Sequence, residues 1–298
     1  MPLREFKIIR NLWVALKEFF REDGLDKSSI LAYYSIFSSI SLLTFFFFLF
    51  SRYPGRPAAV LKSLYPFSPD IFDKISPEFF QKAAEISSHL VDIGTMGVFF
   101  SLVFGLLIIT KIVQFVNAMF HLDLNIRRAE KGFMIRRVSE FSLLFLIGFL
   151  VVGSFLFSGF ISTVNNLYYK NKFLTQYIDP GFVDTVSEIL LIYVIPYLIA
   201  VFFFFVLYKY IPEKVVYVKG AFIAALIAAF LWQLGTRAYA HYLVHISLFG
   251  QVKGPIIAVI LYGFWMELSM GIMLYGAKLT YIFDRERNEK LKRDRVIA

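Results

Sequence analysis

Cysteine is absent from all 298 residues, which excludes disulfides, thiolate nucleophiles and cysteine metal sites together. Charge is scarce as well: Asp, Glu, Lys and Arg make up 18% of the chain, against about a quarter in an ordinary soluble domain. None falls between Ser28 and Ser51, and none between Phe141 and Tyr169. The sequence also lacks a Gly-rich phosphate loop, a tandem repeat and a cleavable signal, because the first apolar run starts near Ser28 behind a charged amphipathic stretch. These absences exclude disorder, collagen, a coiled coil and a soluble two-domain enzyme. What is present is apolar: 58% hydrophobic residues, 36 of them Phe, and a mean hydropathy of +0.65. Uncharged apolar runs of this length suit a hydrocarbon core.

The expected fold is all-α: a polytopic membrane protein of six transmembrane helices. The spans are roughly Ser28–Phe50, Ile93–Phe120, Phe141–Ser162, Thr185–Tyr208, Tyr217–Leu243 and Pro255–Phe283. Each meets the need for about 20 residues at 1.5 Å apiece. Residues 1–283 form one membrane domain and 284–298 a basic cytoplasmic tail. With Lys219 counted in the Lys209–Lys219 connection, 20 of the 28 Lys and Arg that flank the spans lie on the side that carries both termini. The positive-inside rule therefore makes both termini of this multi-pass protein cytoplasmic.

Two further stretches read as helices. Ile9, Leu12, Trp13, Leu16 and Phe20 recur at helical spacing within about residues 5–22, with Lys7, Arg10, Lys17 and Arg21 on the other faces. That pattern fits an interfacial helix on an anionic leaflet, and equally a helix docked on the bundle. In the first outer loop, Ser76-Pro77 resembles a helix start, and Phe79, Ala83, Ile86 and Leu90 would form one apolar stripe. The outer loop is therefore expected to be partly helical.

Polar groups inside a bilayer are costly and usually face a bundle interior or a wet cavity. On span two, Thr110, Gln114, Asn117 and His121 share one face beside Lys111. On span five, Gln233, Arg237 and His241 stand four apart; on span six, Glu267 is near the middle and Lys278 near the inner end. Lys111, Gln114, Asn117, Gln233, Arg237, His241 and Glu267 are the candidates for a substrate cavity between spans two, five and six. The competing view is that such groups join helices or, as for Lys278 and His121, reach the headgroups. Two ion pairs are expected from depth alone: Glu188 with Arg237 near the outer end, with Asp184 as the next partner, and Lys111 with Glu267 at mid-depth. If Lys111 does not reach Glu267, the carboxylate should line a wet cavity, where it could couple proton movement to transport.

Pro196 interrupts span four and removes a backbone donor, so a bend is expected there. Gly97, Ser101 and Gly105, and likewise Ala221, Ala225 and Ala229, are small-residue series that permit close helix contact. His241 and His245 have the spacing of a metal-binding helix, but Tyr242 stands where a zinc protease needs Glu, and no third ligand is evident. No metal or cofactor is expected. Nuclease chemistry would need several carboxylates converging on divalent metals, and the acids here lie mostly among basic residues. Neither an enzyme nor a nucleic-acid partner is expected.

The stretch Leu226-Ile-Ala-Ala-Phe-Leu-Trp-Gln-Leu-Gly-Thr-Arg-Ala-Tyr-Ala-His-Tyr242 resembles the fifth span of the YihY/BrkB membrane protein family. The similarity continues through Gly254 to Trp265 and Gly276-Ala277. Asn117 matches the Asn of that family's second-span motif, and Leu31-Ala-Tyr-Tyr-Ser-Ile-Phe-Ser its first-span entry. Three positions depart from the pattern: Ser41 for the usual Pro, Lys253 for Tyr, and Lys278 for Glu. The resemblance implies a bacterial inner-membrane protein of six spans, with envelope-lipid transport or serum resistance as the suggested roles. The ribonuclease label once attached to such proteins is disfavoured. The expected function is an envelope transporter or exporter of a lipid or other amphipathic anion. The alternative is a non-transporting scaffold or envelope-assembly factor. Membrane lipids are the expected partners, and a homo-oligomer is compatible with the sequence.

Overall fold

The computed structural model describes residues 2–51, 99–100, 103–121, 180–245 and 255–297. The third span, the first outer loop with its Phe79–Leu90 stripe, and Lys253 lie outside the described residues, as do the side chains of Glu188, Asp184 and His245. Among the described residues every regular element is helical. The helices are α1 (Pro2–Arg21), α2 (Gly24–Ser51), α3 (Val103–Met119), α4 (Pro180–Ile189), α5 (Ile195–Tyr210), α6 (Val218–His245) and α7 (Pro255–Ile297). Among the described residues, three stretches are long and apolar enough to cross a membrane: Thr185–Tyr210, Val218–Tyr242 and Ile260–Asp294. They coincide with the fourth, fifth and sixth apolar runs of the sequence.

The chain divides into two compact units, Met1–Ala32 with Ile109–Ala298, and Tyr33–Ile108. In the second unit, aromatic rings form a continuous series. Tyr33 meets Phe37 at 4.7 Å between centroids, Phe37 stacks on Phe104 at 5.6 Å, and Phe104 on Phe100 at 6.2 Å. Gly105 has no atom of the described residues within 4 Å of where a Cβ would stand, so it does not act as the close-contact position that the small-residue spacing suggested.

In the first unit, α5 packs on α6, α6 on α7, and α1 on α7. The alanine series of α6 makes this layering tight: Ala221, Ala225 and Ala229, with Ala224 and Ala228 beside them, are fully buried. Small side chains let helix backbones approach and gain dispersion contacts along their whole length. Gly276 on α7 serves a related purpose, because an added Cβ would stand 2.1 Å from the Tyr208 hydroxyl. That buried hydroxyl donates to the Met273 carbonyl at 3.0 Å and ties α5 to α7.

The bend at Pro196 takes the form of a π-turn, Leu190–Val194, immediately before α5. The Ile195 N–H donates to the Leu190 carbonyl, five residues back, so the chain accommodates the proline by widening one turn. The helical stretch α4 to α5 thus spans the membrane-length run in two segments.

The α1–α2 corner explains how α1 is turned onto the bundle. Asp23 adopts a left-handed conformation with φ 56°, which Asp tolerates better than most residues. Gly24 follows because a Cβ there would stand 2.5 Å from the Phe19 ring. α1 then presents two distinct apolar faces. Asn11, Ala15 and Phe19 are buried against the bundle, whereas Ile9, Trp13 and Phe20 are 65%, 57% and 55% exposed. Of the periodic stripe read from the sequence, Ile9, Trp13 and Phe20 therefore face outward while Leu12 and Leu16 are half-buried, and the docked face is turned about 140° from the three exposed residues at 100° per residue. α7 also extends beyond expectation. Residues 284–297, read as a basic tail, continue the helix without interruption, and Asp284 is buried.

Candidate functional site

Two polar centres organise the first unit. The inner one is built where α1, the end of α3 and α7 converge. Lys278 is fully buried, so the expectation that it reaches the headgroups is overturned. Its Nζ donates to both carboxylate oxygens of Glu22, at 2.6 and 2.8 Å, and lies 3.2 Å from Glu18 Oε2. The His121 Nε2 is 2.9 Å away and the Met119 carbonyl 3.4 Å. Burying an ammonium is prohibitive unless it is paired and hydrogen-bonded, and here two carboxylates and two further acceptors surround it. Glu18 and Glu22 converge because they stand four apart across the end of α1, where the Glu22 N–H donates to the Glu18 carbonyl at 3.0 Å. His121 itself adopts a left-handed conformation (φ 54°) just past the end of α3.

Glu18, Glu22 and His121 bring their ligand atoms within 4.8 Å of one another, a set that could hold a metal ion. The Lys278 ammonium stands among those same atoms and supplies the positive charge itself. Arg285 adds a second cation, donating from both terminal nitrogens to Glu18 Oε1 at 3.1 Å. Burial works to raise the Glu18 pKa, but the hydrogen bond and charge of Lys278, followed by those of Arg285, outweigh it and hold the carboxyl below its ordinary value. The Tyr281 ring completes the centre, with Lys278, Lys214 and Arg285 at 4.6, 5.0 and 5.5 Å from its centroid.

The connection between α5 and α6 is fastened beside this centre. Asn117, buried at the end of α3, accepts from the Glu213 N–H at 2.8 Å and donates to the Val113 carbonyl at 2.9 Å. From the other side, Asp284 accepts from the Tyr217 N–H at 3.1 Å and from Lys214 Nζ at 2.9 Å. Sequence reasoning passed over Asp284 because it sits among basic residues beyond the last apolar run.

The outer centre is a cavity of about 300 Å³ lined by Tyr193, Tyr197, Phe230, Gln233, Leu234 and Arg237. The π-turn carries Tyr193 under the Arg237 guanidinium, 4.0 Å from the ring centroid. Tyr197 donates to the Leu226 carbonyl at 3.1 Å, which fixes the cavity wall to α6. Among the described residues, the buried Gln233 Nε2 has no hydrogen-bond partner. Arg237 and Gln233, one helical turn apart on α6, thus line the same small, mostly apolar space, and the Gln233 Nε2 is buried at its edge. Such a donor set suits an oxygen-rich anion carried on an apolar body.

The residues singled out in the sequence do not gather in one place. Gln233 and Arg237 share this cavity, but its other wall, Tyr193 and Tyr197, comes from span four rather than from spans two and six. Lys111 donates to Gln114 at 3.3 Å and lies 5.9 Å from the centroid of the Phe115 ring. Glu267 accepts from Ser29 Oγ at 2.6 Å, so the ion pair expected between Lys111 and Glu267 is not formed. His241 is exposed one turn beyond Arg237. Glu188, the expected partner of Arg237, has its side chain outside the described residues.

Comparison with known proteins finds similarity to membrane proteins over most of the chain. The family model described as "Virulence factor BrkB" matches residues 15–296. A UPF0761 membrane protein of Aggregatibacter aphrophilus is 26% identical over 280 residues, covering 91% of both chains. Another from Histophilus somni is 26% identical over 285 residues, covering 92% of both. No solved structure matches.

Proposed function

Because the chain belongs to the BrkB family of membrane proteins, we propose that it is a six-span inner-membrane transporter of a lipid or other amphipathic anion, with both termini cytoplasmic. The observation that carries this reading is the outer cavity, which Arg237 and Gln233 line together with Tyr193, Tyr197, Phe230 and Leu234. An anionic headgroup would accept from the Arg237 guanidinium, and its apolar part would lie against Phe230 and Leu234. The π-turn beside the cavity supports a mobile wall, since such turns recur at functional sites. The exposed Ile9, Trp13 and Phe20 of α1, with Lys17 alongside, fit a helix lying in the inner interface.

A second reading, a non-transporting scaffold, draws on the inner centre, where Lys278, Asn117 and Asp284 are all satisfied by protein groups. Reconstitution separates the two. Purified protein in phosphatidylcholine vesicles containing fluorescent NBD-phosphatidylglycerol should accelerate transbilayer movement of the probe, read by dithionite quenching. A rate equal to that of protein-free vesicles favours the scaffold. For the topology, a periplasm-dependent reporter should be inactive when fused at Ala298 and active in the loop around residues 54–92. Activity at Ala298 would reject it.

A further inference from the structure

A second, larger cavity of about 740 Å³ opens between α1, the start of α6 and the extension of α7. Its character changes from one end to the other. Gly220, Ile223 and Phe283 make an apolar wall, and the adjoining Phe222 and Ile223 are exposed on α6, so that wall continues along the outside of the bundle. Arg287, Lys290 and Arg293 make a basic wall on successive turns of α7. Two carboxylates also line it, but Glu286 is already engaged by Arg10 at 3.1 Å and by Asn11 at 2.8 Å. The Arg287 guanidinium is stacked 3.9 Å over the Tyr217 ring, which holds its plane in place and leaves its edge for an acceptor. Gly220 contributes space, since a Cβ there would already stand 3.1 Å from the Phe283 Cβ.

We propose that this cavity is a binding site for an anionic phospholipid, with the phosphodiester between Arg287 and Arg293 and an acyl chain along Ile223 and Phe222. The basic wall calls for a phosphate, which guanidinium groups bind through paired N–H donors. The apolar wall decides the source: a soluble phosphate would gain nothing from it, whereas a lipid places its glycerol and chain there. Arg10, which lines the cavity, follows the exposed Ile9 of α1 in the chain. This site is separate from the Arg237 cavity and does not depend on the transport reading.

Native mass spectrometry of the full-length protein in neutral detergent tests it. Dioleoyl phosphatidylglycerol should be retained at least fivefold more than dioleoyl phosphatidylcholine at equal concentration, with the preference falling as salt rises. The exposed pair Arg287→Gln and Arg293→Gln should abolish the preference, while Arg237→Gln should keep it. Equal retention of the two lipids by the unaltered protein would overturn the proposal. So would a double variant that still discriminates, or complete displacement of the lipid by an equal concentration of glycerol phosphate, which would make the ligand a soluble phosphate instead.

Discussion

The Lys278 ammonium lies 2.6 and 2.8 Å from the two carboxylate oxygens of Glu22, 256 positions earlier in the chain, and joins the first helix to the last. Because Lys278 is fully buried, removing it takes the buried cation from Glu22 and leaves Glu18 with Arg285 alone. Lys278→Met should therefore lower stability by about 3–5 kcal/mol, the usual cost of breaking a buried pair from one side. Adding Glu22→Gln should recover part of that loss. Chemical unfolding in detergent, followed by tryptophan fluorescence, measures both.

Glu18 makes the same centre pH-sensitive. Its carboxyl is held below the ordinary value of 4.5, chiefly by Lys278 and then Arg285 against the opposing effect of burial. A depressed carboxylate contributes stability that is fully present above the unfolded pKa and disappears as pH falls through the lower folded pKa. The melting temperature should accordingly fall as pH drops below about 4.5, the ordinary carboxyl value. Glu18→Gln should be less stable than the unaltered protein near neutrality and flatter across that acid range.

Asn117 should act through one amide. Its Oδ1 is the acceptor for the Glu213 N–H, and Asn117→Ala leaves that donor unsatisfied at a cost of about 1–3 kcal/mol. Hydrogen exchange at the Glu213 amide should accelerate markedly in Asn117→Ala. Asn117→Asp keeps the acceptor and should protect the amide better than the alanine variant does.

At the α5–α7 contact, Gly276→Ala should destabilise by about 1–3 kcal/mol, because the new methyl meets the Tyr208 hydroxyl, Cζ and Cε2 together. Gly105→Ala, with open space around it, should be close to neutral or slightly stabilising, since alanine favours a helix more than glycine does. The two melting temperatures should differ by several degrees, a comparison of one substitution in two environments.

What could be read in advance follows from which forces are local. The long apolar runs of the last three spans stand out because crossing a bilayer requires about 20 consecutive apolar residues. The alanine face of α6 stands out because its packing is periodic. Azimuth and long-range pairing are another matter. Counting 1.5 Å per residue set Lys111 and Glu267 at one depth, yet depth does not tell which way a side chain points, and Glu267 bonds Ser29 instead. Lys278 reads as a residue near a helix end until α1 folds back and brings Glu18 and Glu22 around it. The stripe on α1 has the right period, but periodicity alone does not separate a face turned outward from one docked on a neighbour. The π-turn was legible only as a bend at Pro196; its consequence, Tyr193 beneath Arg237, depends on the packing of α5 on α6.

The central claim is that Arg237 recognises the charged part of a transported amphipathic anion. The most direct measurement is the transbilayer rate of NBD-phosphatidylglycerol in proteoliposomes containing the unaltered protein, Arg237→Lys or Arg237→Gln, with melting temperature checked in parallel. The account predicts at least a tenfold fall for Arg237→Gln, an intermediate rate for Arg237→Lys, and little change in melting temperature. An Arg237→Gln protein that moves the probe as fast as the unaltered one would contradict it.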